Sequence, residues 1–523
     1  MGEHLAVLEV VLPLFTAPLI VLVRSRGFAW VATTVVSYAC LAIAIALAVQ
    51  VITAGPISYA IGSWPAPWGI EYRIDALSAF VLVLVSLTAS LVAPYAQRSI
   101  AAEVAPDRAY LMYAMFCLCL AGLLGITVTG DAFNLFVFLE ISSLAMYVLI
   151  ALGRNRKALV AAYQYMLMGT VGATFYVIGV GLLYLMTGTL NLADMAARLR
   201  EVEEVRPVLA ALAFITVGIG LKLALFPLHQ WLPNAYAYAP SMATAFIAAT
   251  ATKVSVYVLL RFYFTVFDPA VIFAELPTRE AFIALSVAGM LLGSLVALFE
   301  SDVKRLFAYS SVAQIGYITL GIGLDNQSSL TGSITHLLNH GVTKGAIFVL
   351  LGGVALRCGT MSMSVESLSG LGRRMPLTAF GLVIAGLSLI GIPGTAGFVS
   401  KWYLIVGALE QGHWWVVAVI LAASLIAAAY VWRVVEVAYL RPVSAGAWRE
   451  GEAPPGMLAA ALAMVILCVY FGFDTTFSVG GAQDAARLLL GGARGRSSCA
   501  VSCRPRPGYS SLRAAAIRTC AKR

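Results

Sequence analysis

Runs of about twenty apolar residues recur along the chain, separated by short segments that hold most of its charge, glycine and proline. Each run is long enough to cross about 30 Å of hydrocarbon as an α-helix. About fourteen spans are predicted. In the first half they cover 4–23, 28–52, 75–95, 109–128, 131–152, 158–186 and 208–226; in the second, 240–266, 280–299, 305–324, 330–356, 377–408, 413–440 and 456–475. The first resembles a signal peptide in length, but Glu3 and Glu9 flank it where such a peptide needs positive charge, so it is read as a retained helix.

Two spans are predicted to break. In Gly220–Pro240, Phe226-Pro227 interrupts the helical ladder because proline lacks the amide donor and clashes with the preceding turn; Pro233 and Pro240 bend the connection that follows. In Gly386–Leu404, Gly391, Pro393, Gly394 and Gly397 cannot share one regular helix without cost. Backbone freed at membrane depth must face protein or water, which makes such breaks natural ion sites. A pair of them in two halves points to inverted repeats.

Composition agrees with a polytopic all-α membrane fold: 61% of residues are hydrophobic, 11% charged, and mean hydropathy is +0.90. No soluble catalytic domain is expected. Lys and Arg set the orientation. Loops and helix ends after odd-numbered spans hold fifteen of them, from Arg24 to Arg449; the opposite side holds six, namely Arg73, Arg198, Arg200, Arg206, Arg261 and Arg279. Odd-to-even loops are therefore predicted cytoplasmic, with both termini outside.

The formal charge of +9 comes from the end of the chain, where nine Lys or Arg and no acid follow from Arg487 onward; the remainder balances at 25 basic and 25 acidic residues. Nothing implies a nucleic-acid partner. The tail 487–523 shows no helix or strand pattern and is read as disordered, or as an artefact such as a shifted reading frame, ahead of a functional lipid or partner contact. Of the cysteines, Cys40, Cys117, Cys119, Cys358 and Cys468 lie in or beside apolar helices as small hydrophobes. No disulfide framework, zinc site, phosphate loop, dinucleotide fingerprint or haem motif is recognisable; no metal, cofactor or catalytic site of the chain's own is expected.

Against this background, Glu140, Lys222, Lys253, Lys344 and Lys401 stand well inside apolar runs. A charge at the bilayer centre costs at least about 2.5–3.5 kcal/mol on insertion scales, so the default reading is a path for protons or ions. Lys222 precedes the first break, with a kinked helix and a snorkelling lysine as the alternative. Glu140 is its candidate partner, since a carboxylate in low dielectric either protonates or pairs with a cation; a static pair holding two helices in register is the alternative. His336, His340 and Lys344 recur every four residues, so they line one helix face and suit a proton relay, against two core histidines bonded to neighbouring backbone. Lys253 could bridge this stripe to Lys222. Lys401 follows the second break, flanked by Trp402 and Tyr403. Asp75 and Asp131 open helices and read as caps; His229 follows the first break and carries little weight.

The segments TGDAFNLFVFLE, GLKLALFPLHQWLPNAYAYAP, DVKRLFAYSSVAQIGY, HLLNHGVTK and GIPGTAGFVSKWYL occur in this order. Through them, residues 60–440 resemble the proton-translocating antiporter-like subunits shared by respiratory complex I and Mrp-type cation/proton antiporters. The resemblance implies about fourteen helices with two inverted five-helix repeats, each containing one broken helix. The expected division is helices 1–3 in 1–108, a first repeat in 109–266, a second in 280–440, helix 14 in 456–475 and the basic tail. It also implies that Glu140 modulates Lys222, that protons pass laterally by Lys253, His336, His340 and Lys344, and that Lys401 serves the opposite exit.

Lysine at 401, where NuoM-type subunits carry glutamate, points away from that type, and no long lateral helix follows helix 14 as in the NuoL type. The D subunit of an Mrp antiporter is the expectation, exchanging Na+ or another monovalent cation for protons in a bacterial inner membrane among other membrane subunits. The alternative is a NuoN-like proton-pumping subunit of NADH:quinone oxidoreductase or a related hydrogenase. A non-conducting scaffold would have lost the buried charges, and this chain keeps them.

Overall fold

The computed structural model describes residues 4–359, 363–443 and 451–500, without the side chains of 274, 275 and 492–500. Nineteen α-helices carry the fold among these residues. The first six are α1 (Leu5–Val23), α2 (Arg26–Ala54), α3 (Ala76–Glu103), α4 (Ala109–Val128), α5 (Ala132–Ala151) and α6 (Arg156–Thr187). After the short α7 (Leu192–Arg198) come α8 (Val205–Leu223), α9 (Trp231–Tyr238), α10 (Ser241–Arg261), α11 (Thr278–Phe299), α12 (Val303–Leu324) and α13 (Gln327–Cys358). The chain continues through α14 (Leu371–Arg374), α15 (Pro376–Ile390), α16 (Ala396–Glu410), α17 (Trp414–Tyr439), α18 (Pro455–Phe473) and α19 (Thr476–Ala500).

Among the described residues, thirteen helical segments are long and apolar enough to span a bilayer, and the halves α15 and α16 together supply the fourteenth expected span. Polar residues at the boundaries of the apolar runs act as caps. Asp75 accepts from the amides of Leu77 and Ser78 at 3.1 Å, Asp131 from Asn134 at 2.7 Å and Asp302 from Arg305 at 3.0 Å. Asn326 accepts from the Ser329 amide at 2.7 Å while Ser329 Oγ accepts from the Asn326 amide at 3.2 Å, a reciprocal capping box for α13. These bonds satisfy amides that a helix start leaves orphaned.

Burial separates an inner layer from a lipid-facing one. Every residue of α10 is buried, and α12 and α13 are buried nearly throughout, whereas α1, α2 and α17 present large apolar side chains outward. Lys253 on α10 and His336, His340 and Lys344 on α13 therefore sit on the innermost helices, and Lys401 on the partly buried α16. The α6–α8 contact depends on glycine: a Cβ at Gly218 would meet the Gly172 carbonyl oxygen at 2.6 Å.

Both predicted breaks are present. α8 ends at Leu223, with Ala224 in the left-handed region (φ 60°), three residues before Pro227, and the chain resumes as α9 at Trp231. The helix thus closes slightly earlier than the predicted limit of 226, on the bond from the Leu225 amide to the Gly220 carbonyl at 2.9 Å. The second break occupies Gly391–Thr395, opened by Gly391 at φ 90°.

Three features differ from the sequence reading. An antiparallel hairpin pairs β1 (Ile57–Ala60) with β2 (Glu71–Ile74) in the register Ile57↔Ile74, within a connection read as a plain loop. α10 continues into a wider π-helical turn at Phe262–Val266. The expected patternless tail from Arg487 is corrected in its first part, because α19 runs through it to Ala500. Ser478, Ala482, Ala485, Ala486 and Leu489 form its buried stripe, at three- and four-residue spacing. Arg487 lies on the exposed face. Mixed polarity hid this helix from a search for wholly apolar runs. The rest of the predicted tail, 501–523, lies outside the described residues.

Candidate functional site: a line of buried ionisable side chains

The first break places Lys222 one residue before the end of α8, where its ammonium turns towards α5. Nζ donates to Ser143 Oγ at 2.6 Å and to Glu140 Oε1 at 3.3 Å. The lysine side chain is 5% exposed and the glutamate 27%, so the pair is buried at its cationic end and accessible at its anionic end. Glu140 and Ser143 share a face of α5, three residues apart. Trp231, just beyond the break, donates its indole N–H to the Leu221 carbonyl at 2.9 Å. The freed end of α8 is thus held by an indole, leaving Lys222 for the carboxylate.

The second break is served differently. Lys401 Nζ donates to the carbonyls of Leu389 at 3.1 Å and Ile390 at 2.8 Å, the last residues of α15, and to Ser424 Oγ at 3.1 Å. A cation at a helix C-terminus is favoured by the unsatisfied carbonyls and the macrodipole. Its ammonium also stands 4.4 Å from the centre of the Tyr317 ring. Lys222 therefore faces a carboxylate and Lys401 faces carbonyls and an aromatic ring, although each belongs to an interrupted span.

Between the breaks, α12 presents a polar stripe to α13. His336 shares hydrogen bonds with Gln314 Oε1 at 2.9 Å through Nε2 and with Ser400 Oγ at 2.7 Å through Nδ1. Lys344 donates to the Phe307 carbonyl at 2.6 Å and to Ser310 Oγ at 2.5 Å. Rings of His336 and His340 are nearly parallel, with centroids 5.8 Å apart, and His336 lies 5.9 Å from Tyr317. Both ring nitrogens of His340 are buried without a hydrogen-bond partner among the described residues. Such a group is costly unless it has a partner to meet, and two open nitrogens in a polar stripe suit a group that exchanges protons.

Lys253 lies on α10, fully enclosed, and donates to the Ala248 carbonyl of its own helix at 2.5 Å. No direct hydrogen bond joins it to Lys222 or His340 among the described residues. The structure thus brings together Glu140 with Lys222, and Lys401 with Tyr317 and His336; Lys253 lies within electrostatic reach of His336, His340 and Lys344 across the α10–α13 contact, without a direct hydrogen bond to them among the described residues. His229 is half-buried beside Phe226 and Tyr309, away from direct contact with either lysine of the breaks.

Several polar groups were missed. Ser310, Gln314 and Tyr317 repeat at helical spacing in the AYSSVAQIGY segment, a signal that matches the histidine stripe in kind. Glu103 and Lys304 are both buried beside Ser241: Glu103 Oε2 accepts from its amide at 2.5 Å, and Lys304 Nζ donates to its hydroxyl at 3.3 Å. Glu9 is wholly enclosed in α1, accepting from Ser86 Oγ at 3.0 Å. Asp75 is more than the cap expected of it. Arg261, counted with the loop charges, is buried and grips both of its carboxylate oxygens.

The model of the family described as NADH:quinone oxidoreductase/Mrp antiporter, transmembrane, matches residues 129–427. The chain is 44% identical over 463 residues, 87% of its length and 91% of the relative's, to the N subunit of the NADH-quinone oxidoreductase of Desulforudis audaxviator. It is 30% identical over 434 residues, 81% and 84% of the two lengths, to the D subunit of the Na(+)/H(+) antiporter of Alkalihalophilus pseudofirmus. Among solved structures, a chain of the Mrp complex from Dietzia sp. DQ12-45-1b aligns with a TM-score of 0.83 at 27% identity, covering 93% of this chain and 97% of that one. The chain belongs to the NADH:quinone oxidoreductase/Mrp antiporter family of multi-pass membrane proteins.

Proposed function

We propose that the chain is the proton-translocating subunit of a multi-subunit monovalent cation (Na+)/H+ antiporter of Mrp type, in a bacterial inner membrane among other membrane subunits. The observation that carries this reading is the Lys222–Glu140 pair at the broken helix, buried at the lysine and accessible at the glutamate. Moving Glu140 closer or further changes how strongly Lys222 holds a proton, because a unit charge a few ångströms away acts strongly in low dielectric. Lys253 and the stripe of His336, His340 and Lys344 carry protons laterally, and Lys401 releases them at the opposite exit. In this reading 109–266 and 280–440 are inverted repeats, odd-to-even loops face the cytoplasm, and both termini lie outside. The relatives among antiporter D subunits and the likeness to the Mrp complex support it.

A second reading is favoured by the NADH-quinone oxidoreductase relative at 44% identity: a proton-pumping membrane subunit driven by electron transport. Both readings use the same line of residues and differ in partners. Mass spectrometry of the native complex separates them, since flavin or iron–sulfur subunits select the redox reading. For the shared claim, Glu140→Ala and Lys222→Ala should each abolish proton movement in vesicles while the complex still assembles. Wild-type flux in both variants would refute it.

A further inference from the structure

Lys253 begins a polar stripe on α10 that leads away from the histidines. Lys253, Tyr257 and Arg261 recur every four residues and are all buried. The Tyr257 hydroxyl donates to the Thr127 carbonyl at 2.9 Å, lies 3.1 Å from Ser78 Oγ and accepts from Arg261 Nε at 3.0 Å. Arg261 donates from Nη1 to Asp75 Oδ2 at 2.6 Å, and from Nη2 to Asp75 Oδ1 and, at 2.8 Å, to Ser78 Oγ.

On the far side of this network is a cavity of about 540 Å³. Asp75, Tyr257 and Arg261 line its buried end, and the exposed Arg73 and Arg200 line its rim. Glu71 forms another part of the wall. The cavity therefore reaches Tyr257. At a rise of about 1.5 Å per residue, about 6 Å, one turn of α10, separates the backbone levels of Tyr257 and Lys253; the ammonium itself turns the other way, onto the Ala248 carbonyl, and must swing by about a turn to meet water from the cavity. A bidentate Arg–Asp pair explains how α3 is stapled to α10. It does not explain why the same stripe ends inward on an enclosed lysine and outward on a cavity large enough for many waters.

We infer that Lys253 has its own aqueous access through this vestibule, on the face holding Arg73 and Arg200, with the Arg261–Asp75–Tyr257 network as its gate. This rests on the proton-transport reading above and adds a route separate from Lys401. The proton passes from the Lys253 ammonium to a water molecule, leaving the amine and a hydronium ion. Arg261 is the door and never the carrier, because a guanidinium does not give up its proton in proteins. While it stays on Asp75, the neutral ion pair fills the floor of the vestibule and occupies both carboxylate oxygens, which closes the passage to water. When it swings off, water enters over Tyr257 and Asp75 is exposed as a carboxylate that attracts the departing cation.

The test uses the native complex in vesicles, carrying Ala196→Cys in the vestibule wall or, as a second position, Ala193→Cys at its rim. A membrane-impermeant, trimethylammonium-bearing thiol reagent is added from the Arg73 face. Labelling of that peptide is read by mass spectrometry, and each preparation's proton flux is compared before and after. The wild-type chain, treated alike, controls for native cysteines. Labelling should occur and flux should fall about tenfold, the effect of a unit charge about 10 Å from the path at an effective dielectric of about 20. Failure of the reagent to reach either cysteine would overturn the inference, as would complete labelling with unchanged flux. Lys222→Ala, measured in the same vesicles, tells the two levels apart. If it abolishes flux while the plug is without effect, the vestibule alone is refuted; if it keeps wild-type flux, the transport reading falls and the vestibule with it.

Discussion

Removing either member of the Glu140–Lys222 pair should have unequal structural costs and equal functional ones. Breaking a fully buried ion pair by deleting one partner costs about 3–5 kcal/mol, mostly from the charge left behind. Glu140→Gln strands the Lys222 ammonium, whose side chain is 5% exposed, with Ser143 as its remaining strong acceptor. Ser143 offsets part of the loss, so the cost should be about 3 kcal/mol. Lys222→Met instead strands Glu140, which at 27% exposed is less completely enclosed than the lysine, and should cost less, about 1–2 kcal/mol. The double variant removes both charges and should be more stable than Glu140→Gln alone, since directly interacting residues are not additive. The assay is thermal inactivation of the purified native complex at one heating rate, paired with vesicle proton flux. Midpoints should rank wild type, Lys222→Met, the double variant with or above it, then Glu140→Gln lowest, while all three variants lose flux at least about tenfold. Additive losses in the double variant, or equal midpoints for the two single variants, would refute the pairing as described.

Three further outcomes follow from the same geometry. Gln314→Leu leaves His336 Nε2 without its partner at 2.9 Å, so flux should fall about tenfold, the equivalent of one lost buried hydrogen bond; unchanged flux would remove the α12 stripe from the path. Gly218→Val forces a side chain against the Gly172 carbonyl, already 2.6 Å from an ideal Cβ, and should destabilise the α6–α8 contact by about 1–3 kcal/mol, lowering the yield of assembled complex on native gels. Asn326→Ala dissolves the capping box of α13 and should cost about 1 kcal/mol, seen as a lower inactivation midpoint with flux per assembled complex unchanged.

How much of this was visible in the chain depends on the range of the interaction. The spans and both breaks follow from local rules, because hydropathy sets the helices and Pro227, Gly391 and Pro393 disrupt the ladder wherever the chain is placed. Lys222, Lys401 and the histidine stripe stood out because a charge inside an apolar run is conspicuous by itself. Their partners are harder to read. Asp75 and Arg261 are 186 residues apart, each has an ordinary local explanation as a cap or a loop charge, and only packing brings them together. Ser310 and Gln314 carried a usable signal in their four-residue spacing, but serine and glutamine inside a membrane helix cost less than a charge and draw less notice. Glu9 was masked by its place near the chain start, where it served to argue against a signal peptide. α19 was missed because its buried stripe, mostly alanine and serine with Val479 and Leu489, is interleaved with polar and glycine residues, so it forms no continuous apolar run while its periodicity remains helical.

The central claim is that protons cross this protein along the buried line that begins at Lys222. Its most direct test is proton flux, read with a pH-sensitive dye, in vesicles holding equal amounts of the assembled native complex with either the wild-type chain or Lys222→Ala. Loss of the flux in the variant, with the complex intact, is the predicted result. A Lys222→Ala complex that moves protons at the wild-type rate would contradict it.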